Sequence, residues 1–242
     1  MSSQVQERTA FLNRHAYAHR GLHRPGGPVE NSLPAFAAAI AAGHGMECDV
    51  QLSRDGCAMV FHDSELDRLT AQTGAVFARS AAELAAIPLR DGDGSTIPSL
   101  RELLDLVAGR TPLLIELKVD AGTDWRALCR MVENELAGYA GPVAVMSFSG
   151  LAMGWFRRHA PDRVRGMVMT DELGWRDRLR HDLDLWWSRP DFLAYDIRFT
   201  PSRWTMRQRA RGLPVLCWTV RTAQDRARAA AHADGIIFED VD

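Results

Sequence analysis

Apolar runs that alternate with helical patterns from about residue 16 to residue 238 predict an α/β barrel of parallel strands. Two further observations support it. Charged groups collect at the ends of the apolar runs, as in His19-Arg20-Gly21, Glu47-x-Asp49 and Glu116-x-Lys118, where barrel strands converge on one rim. The length of 242 residues suits one barrel, and a hydrophobic content of 46% can fill its core. A single domain over residues 1–242 is expected, with no internal repeat, low-complexity tract or interdomain linker.

The elements follow in order. The first strand, 16–19, runs into Gly21 and a loop carrying Glu30 and Asn31. Asn31 or Ser32 can cap a helix over 32–42, with Pro34 in its first turn and Gly43 after its end. The second strand spans 45–52. Ser53-Arg54-Asp55-Gly56 is a turn signal, and Asp-Gly favours a hairpin, so 58–61 reads as an antiparallel returning arm. That arm brings His62 back to the rim that carries Asp49. Residues 64–98 form an insertion after this hairpin arm, short for a domain but long for a loop, with little regular structure beyond 81–86, and loops of this length usually carry function or cover a site. Ser99 with Glu102 is a capping-box pattern opening a helix over 99–108. Further strands are expected at 113–119, 143–148, 165–170, 192–197, 214–220 and 235–238, with helices at 125–137, 150–159, 171–183, 202–211 and 223–231. Without the 58–61 arm the strands number eight, which closes a barrel.

Composition excludes several classes. A net charge of −2 gives no electrostatic reason to propose a nucleic-acid partner. The arginines at 176–180 stand near Asp177, Asp182 and Asp184 and read as a solvated helix face. Cys48, Cys57, Cys129 and Cys217 show no C-x-x-C spacing and read as small buried residues in a reducing compartment. Residues 1–14 lack the apolar segment of a secretory signal, and no apolar stretch approaches the roughly 20 residues that span a bilayer. A cytoplasmic protein without membrane insertion is expected; nothing marks an oligomer interface.

Strand periodicity places the chemistry. Glu47 and Asp49 are two apart and share a face, while Cys48 and Val50 point to the helices. Glu116 and Lys118 repeat the pattern against Leu117 and Val119. Carboxylates turned into a barrel are costly unless paired or metal-bound. Oxygen ligands suit magnesium, calcium or manganese better than zinc; Glu–Lys ion pairing without a metal is the plainer alternative. His19 and His62 suit general acid–base work near neutral pH. Arg20 offers a planar fork to phosphate oxygens. Asp63 either orients a histidine or bonds loop backbone, the second preferred. Asn31 is a loop organiser and a candidate for direct contact, with Glu30 a weaker one. Gly21 is expected to leave room beside a bound phosphate. Trp218 reads as a pocket wall or a core aromatic. Trp175, Trp186, Trp187 and Trp204 read as ordinary packing in preference to an apolar lip. The other histidines (His15, His23, His44, His159, His181 and His232) lack charged company and read as surface or structural.

The stretches AHRG at 18–21, ENS at 30–32, ECDVQLSRDG at 47–56, VFHDSELDRLT at 60–70, IPSLRELLDL at 97–106, IELK at 115–118 and CWTV at 217–220 resemble the glycerophosphodiester phosphodiesterases. With SF at 147–148 and ADGII at 233–237, the resemblance covers about residues 16–238 in order and spacing. It implies a TIM (β/α)8 barrel and hydrolysis of glycerophosphodiesters to sn-glycerol 3-phosphate and an alcohol. It implies that His19 and His62 are the acid–base pair, and that Glu47, Asp49 and Glu116 hold Mg2+ or Ca2+. Arg20 and Lys118 would contact phosphate, Asn31 would belong to the substrate site, and Trp218 would lie beside the glycerol pocket. The chain departs from the pattern at Ser32, at Arg221 where asparagine is usual, and at Ile237-Phe238-Glu239 in place of ITD. The last two are expected to alter the alcohol subsite. The insert is too short for an elaborate lid domain.

The resulting expectation is metal-dependent hydrolysis of a small glycerophosphodiester, with one histidine activating a nucleophile and the other protonating the leaving alcohol. Water or the neighbouring glycerol hydroxyl can be that nucleophile; the resemblance favours the hydroxyl and a cyclic phosphate. The rivals are a lysophospholipase D acting on lysophospholipids through the same residues and a catalytically silent phosphoester-binding barrel. A metal amidohydrolase would show H-x-H where His19-Arg20-Gly21 stands.

Overall fold

The computed structural model describes residues 7–91, 94–120, 122–172 and 174–239, with backbone only for 175–179. Alternation in the sequence becomes alternation in space. The strands are β1 (Tyr17–Ala18), β2 (Gly45–Leu52), β3 (Ala58–Val60), β4 (Leu113–Leu117), β5 (Val143–Ser147), β6 (Val164–Met169), β7 (Phe192–Asp196), β8 (Val215–Val220) and β9 (Gly235–Phe238). The helices are α1 (Leu33–Ala41), α2 (Ala81–Ala85), α3 (Leu100–Val107), α4 (Trp125–Leu136), α5 (Gly150–His159), α6 (Trp175–Ser188), α7 (Arg203–Ala210) and α8 (Ala223–His232). Eight strands pair in parallel in the order β1-β2-β4-β5-β6-β7-β8-β9, and β9 pairs back on β1. This is the closed TIM (β/α)8 barrel.

The extra strand is the hairpin arm. β3 runs antiparallel to the end of β2, with Val50 opposite Val60 and Leu52 opposite Ala58. β1 pairs only with Gly45 and Met46 at the start of β2, so β3 takes the edge that β1 leaves free. The insertion packs on this arm through its own small core of Met59, Phe61, Leu66, Val76, Leu84 and Ile97. It holds the 3-10 turn Val76–Ala78 and the short helix α2.

Side chains separate by strand parity into two cores. Cys48, Val50, Ile115, Leu117 and Val145 face the helices. Tyr17, Leu114, Met146, Val168, Phe192, Leu216 and Ile237 fill the barrel interior, which Leu12 joins from the segment before β1. Large and small residues interlock there. A Cβ on Gly45 would sit 2.7 Å from the Tyr17 ring, and one on Gly166 would sit 2.3 Å from the Phe192 ring. Gly166→Ala is therefore expected to cost about 1–3 kcal/mol through overpacking. A urea midpoint unchanged from the parent would refute this.

Helix ends follow local chemistry. Ser32 accepts from the Ala35 N–H and starts α1. Ser99 and Glu102 form the expected capping box of α3. One helix is corrected: α6 does not end at Leu183 but runs to Ser188, stopping where Arg189 turns left-handed (φ 43°) just before Pro190. The stop signal was the proline. Trp186 and Trp187 thus lie in the last turn of α6, just before β7 begins. That is the barrel end opposite the strand C-termini, so they form no lip over the site; Trp187 packs over Gly154 of α5. Trp204 lies against His181 and Tyr195 outside the barrel wall. The expected solvated face at 176–179 and the side chain of Trp175 lie outside the described residues. Among the described residues no helix is long and apolar enough to cross a membrane.

Candidate active site

Parallel pairing aligns the charged strand ends. Asp49 stands opposite Glu116, one step beyond the pair Cys48 and Ile115. Glu47, Asp49, Glu116 and Lys118 share the interior face and, with His19, Arg20 and His62, line one cavity of about 250 Å³ at the C-terminal rim. Ligand oxygens of Glu47, Asp49 and Glu116 lie within 4.8 Å of one another. All three side chains are buried.

The cations arrange themselves around these acids. Lys118 Nζ lies 3.0 Å from Glu116 and 3.5 Å from Asp49. Arg20 Nε lies 3.2 Å from Asp49, and its Nη1 donates to Glu30 at 2.7 Å. The Arg20 backbone N–H donates to Glu47 at 3.0 Å. Burial opposes the charge on Asp49, but Lys118 and Arg20 more than offset it and hold its carboxyl well below the usual range. Glu47 differs. Burial, then repulsion from Asp49 and Glu116, pushes its carboxyl well above the usual range. Burial also raises Glu116, against the pull of Lys118. Glu47 Oε1 is buried without a hydrogen-bond partner among the described residues. Three converging carboxylates, one with an unspent oxygen and a frustrated charge, fit a hard divalent cation.

Both histidines are held in one manner. His19 Nδ1 bonds Glu239, which accepts from Arg221 Nε at 2.6 Å. His62 Nδ1 bonds Asp63 at 2.8 Å, and Asp63 is held by Arg68. A carboxylate at Nδ1 fixes the proton there and leaves Nε2 as the working nitrogen. Nε2 of His19 lies 3.8 Å from Glu47. Burial lowers the His19 pKa, with Glu239 acting in the opposite direction. Glu239 itself is pulled down to about 2, burial being outweighed by its bonds to His19 and Arg221.

The structure corrects several sequence expectations. Asp63 spends its side chain on His62 and Arg68, whereas the loop backbone is held by Gln51, which donates to the Phe61 and Asp63 carbonyls. Asn31 does not line the cavity: it is 1% exposed, and its amide brackets Asp49, donating to the carboxylate and accepting from its N–H. Gly21 is required by a left-handed φ of 82° and by α1, since a Cβ would sit 2.9 Å from Ala35. Glu30 braces Arg20 and Arg68. Arg221 and Glu239 are paired behind His19, and Arg221 also reaches the cavity wall. Trp218 lines the cavity, donates to the Ala194 carbonyl at 2.9 Å and meets Phe148 edge-on.

Arg68, Gln51, Asp196 and Arg198 were missed. Arg198 lines the cavity clamped by Asp196 and Glu172. Only the position of Asp196 at a strand end on the interior parity could have signalled it.

The family described as glycerophosphoryl diester phosphodiesterase matches residues 19–242. A glycerophosphodiester phosphodiesterase of Bacillus altitudinis is 37% identical over 43% of this chain and 44% of that protein. One from Caldanaerobacter subterraneus is 26% identical over 92% of this chain and 93% of its own. An Oleispira antarctica phosphodiesterase solved in complex with the product sn-glycerol-3-phosphate superposes with a TM-score of 0.82 at 25% identity, covering 96% of this chain and 94% of that one. The family match runs through every strand end that contributes to the cavity, and the chain belongs to the glycerophosphoryl diester phosphodiesterase family.

Proposed function

We propose that this protein hydrolyses glycerophosphodiesters to sn-glycerol 3-phosphate and an alcohol, using a divalent cation at Glu47, Asp49 and Glu116 and His19 and His62 as acid and base. The observation that carries the reading is the pair of imidazoles, each clamped at Nδ1 by a carboxylate, on one cavity with a buried acid cluster. A binding-only barrel has no use for two such clamps. The Oleispira relative, bound to sn-glycerol-3-phosphate, supports the product.

The chain's own groups divide the work. Arg20 and Lys118 present positive charge to the phosphate, where the transition state gains negative charge. When bound, the cation adds Lewis-acid stabilisation of the same charge. One histidine takes the proton from the neighbouring glycerol hydroxyl as that oxygen bonds to phosphorus. The other gives its proton to the departing alcohol oxygen as the P–O bond breaks. Water then opens the cyclic phosphate with the proton roles reversed, leaving both imidazoles as they began. Asn31 acts indirectly, fixing Asp49.

The test is an enzyme-coupled assay for sn-glycerol 3-phosphate from glycerophosphocholine, -ethanolamine, -glycerol and -inositol, in magnesium or calcium. Release that stops with chelator is expected. No release from any of the four by folded, metal-loaded protein would overturn the reading.

A further inference from the structure

A second hollow of about 390 Å³ lies beside the catalytic cavity, between the insertion and the loop that follows β4. Lys118 lines both. Two adjacent strands lead from one into the other. On the shared face of β2, Glu47 and Asp49 belong to the cavity and Gln51 to the hollow. Glu116 on β4 and Lys118 just after it line the cavity, and Asp120, two residues further on, lines the hollow. At about 3.3 Å per residue, the hollow opens roughly 7 Å from the acid cluster. His62 lines the cavity, and Ser64, two residues on, lines the hollow.

The wall chemistry selects the occupant. Phe77 lines the hollow with 68% of its surface exposed. Its mount is firm: Val76 beside it is fully buried, the Val76 N–H donates to the Ser64 carbonyl, and Arg54 donates to the Ala78 carbonyl. Leu52 and Ala127 add apolar wall. The Arg54 guanidinium is engaged by Ala78 and Glu83. Asp120 and Asp124 disfavour an anionic occupant. Apolar hollows of this size with a few polar groups are typical small-molecule sites.

A diester carries two groups on one phosphate. The catalytic cavity is small and walled in part by Trp218, Phe148 and Ile237, which suits the glycerol end. Of the residues that line the cavity, Lys118 is also in the wall of the hollow, so a group that leaves the phosphate past Lys118 enters the hollow. Resting on the proposed phosphodiesterase reading, we infer that the alcohol half of the substrate lies in this hollow against Phe77, and that the preferred alcohol is uncharged or cationic with an apolar body.

The probes are sn-glycerol 3-alkylphosphonates, in which carbon replaces the leaving oxygen, with ethyl, butyl, hexyl and octyl chains. Their affinities are measured by calorimetry in magnesium, for the parent and for Phe77→Ala. Affinity is expected to rise roughly two- to fourfold per added CH2 in the parent. The octyl-to-ethyl affinity ratio is expected to fall at least about 10-fold in Phe77→Ala. A flat series in the parent, or an equally steep one in the variant, overturns the inference. So does Phe77-dependent affinity confined to 1-acyl lysophosphatidylcholine, which would put the glycerol-side chain in the hollow. Turnover of the cleavable ethyl diester is read separately: its absence alongside a steep affinity series sinks the catalytic reading and leaves the hollow as a binding site.

Discussion

Alanine at His19 or His62 is expected to lower kcat at least about 10²-fold, the usual scale of general acid–base catalysis. Each imidazole is fixed by a carboxylate at Nδ1, so each loss removes a proton carrier already aimed at the cavity. The two changes should not multiply in the double variant, because one turnover needs both groups and loss of either stalls it. Glu239→Gln should fall between parent and His19→Ala. It keeps a hydrogen-bond acceptor for Nδ1 but removes the charge that favours the imidazolium formed during turnover. The check is steady-state kinetics on the best glycerophosphodiester, with thermal melting to show each variant folded. An alanine variant within a few-fold of the parent would end the assignment of that histidine.

Removal of the divalent cation should abolish turnover and change how stability depends on pH. In the metal-free protein Glu47 has a pKa raised well above its ordinary 4.5. Between the unfolded and folded values the folded state binds more protons, so stability falls as pH rises from about 4.5 upward through the folded pKa. Glu116 adds the same sign. Asp49 has the opposite sign, and its contribution is lost only in stronger acid, below its ordinary 3.8. Glu239 behaves likewise, losing its contribution as pH falls from 4.5 towards 2. His19, its pKa lowered by burial, acts in the opposite direction up to its ordinary 6.5, so in a His19→Ala background the metal-free protein should melt at a higher temperature at pH 5 than at pH 8. A cation requires the deprotonated carboxylates, so magnesium or calcium should raise the Tm more at pH 8 than at pH 5. Melting curves with chelator and with each metal, at both pH values, measure this. Equal increments at the two pH values, or activity indifferent to chelator, would rule out a cation on this cluster.

Much of the site was legible because strands alternate. The spacing of Glu47 and Asp49, and of Glu116 and Lys118, assigns those side chains to one face by periodicity alone, and the two cores separate on that parity. The turn at 53–56 likewise disclosed that the third apolar run returns antiparallel and carries His62 back to the rim. Less legible were ends and loops. The far end of α6 depended on Pro190 rather than on the fading apolar pattern, and the loop carrying Asn31 hid the fact that its amide is spent on Asp49.

By itself, then, the sequence determined the barrel, the hairpin arm, and the face on which the acids, lysine and histidines stand, because these depend on periods of two and 3.6 residues and on local turn chemistry. Tertiary structure alone decided which group holds His19, whereas His62 is held by its sequence neighbour Asp63. His19 meets Glu239 across 220 positions only because closure pairs β1 with β9, Ala18 opposite Phe238, so that the next residue of each strand falls side by side. Arg68 reaches Glu30, 38 positions away, only because the insertion folds back over the β1–α1 loop. Register across a closed sheet and the seating of an insertion are set by packing of the whole barrel, and no local stretch of chain carries that information.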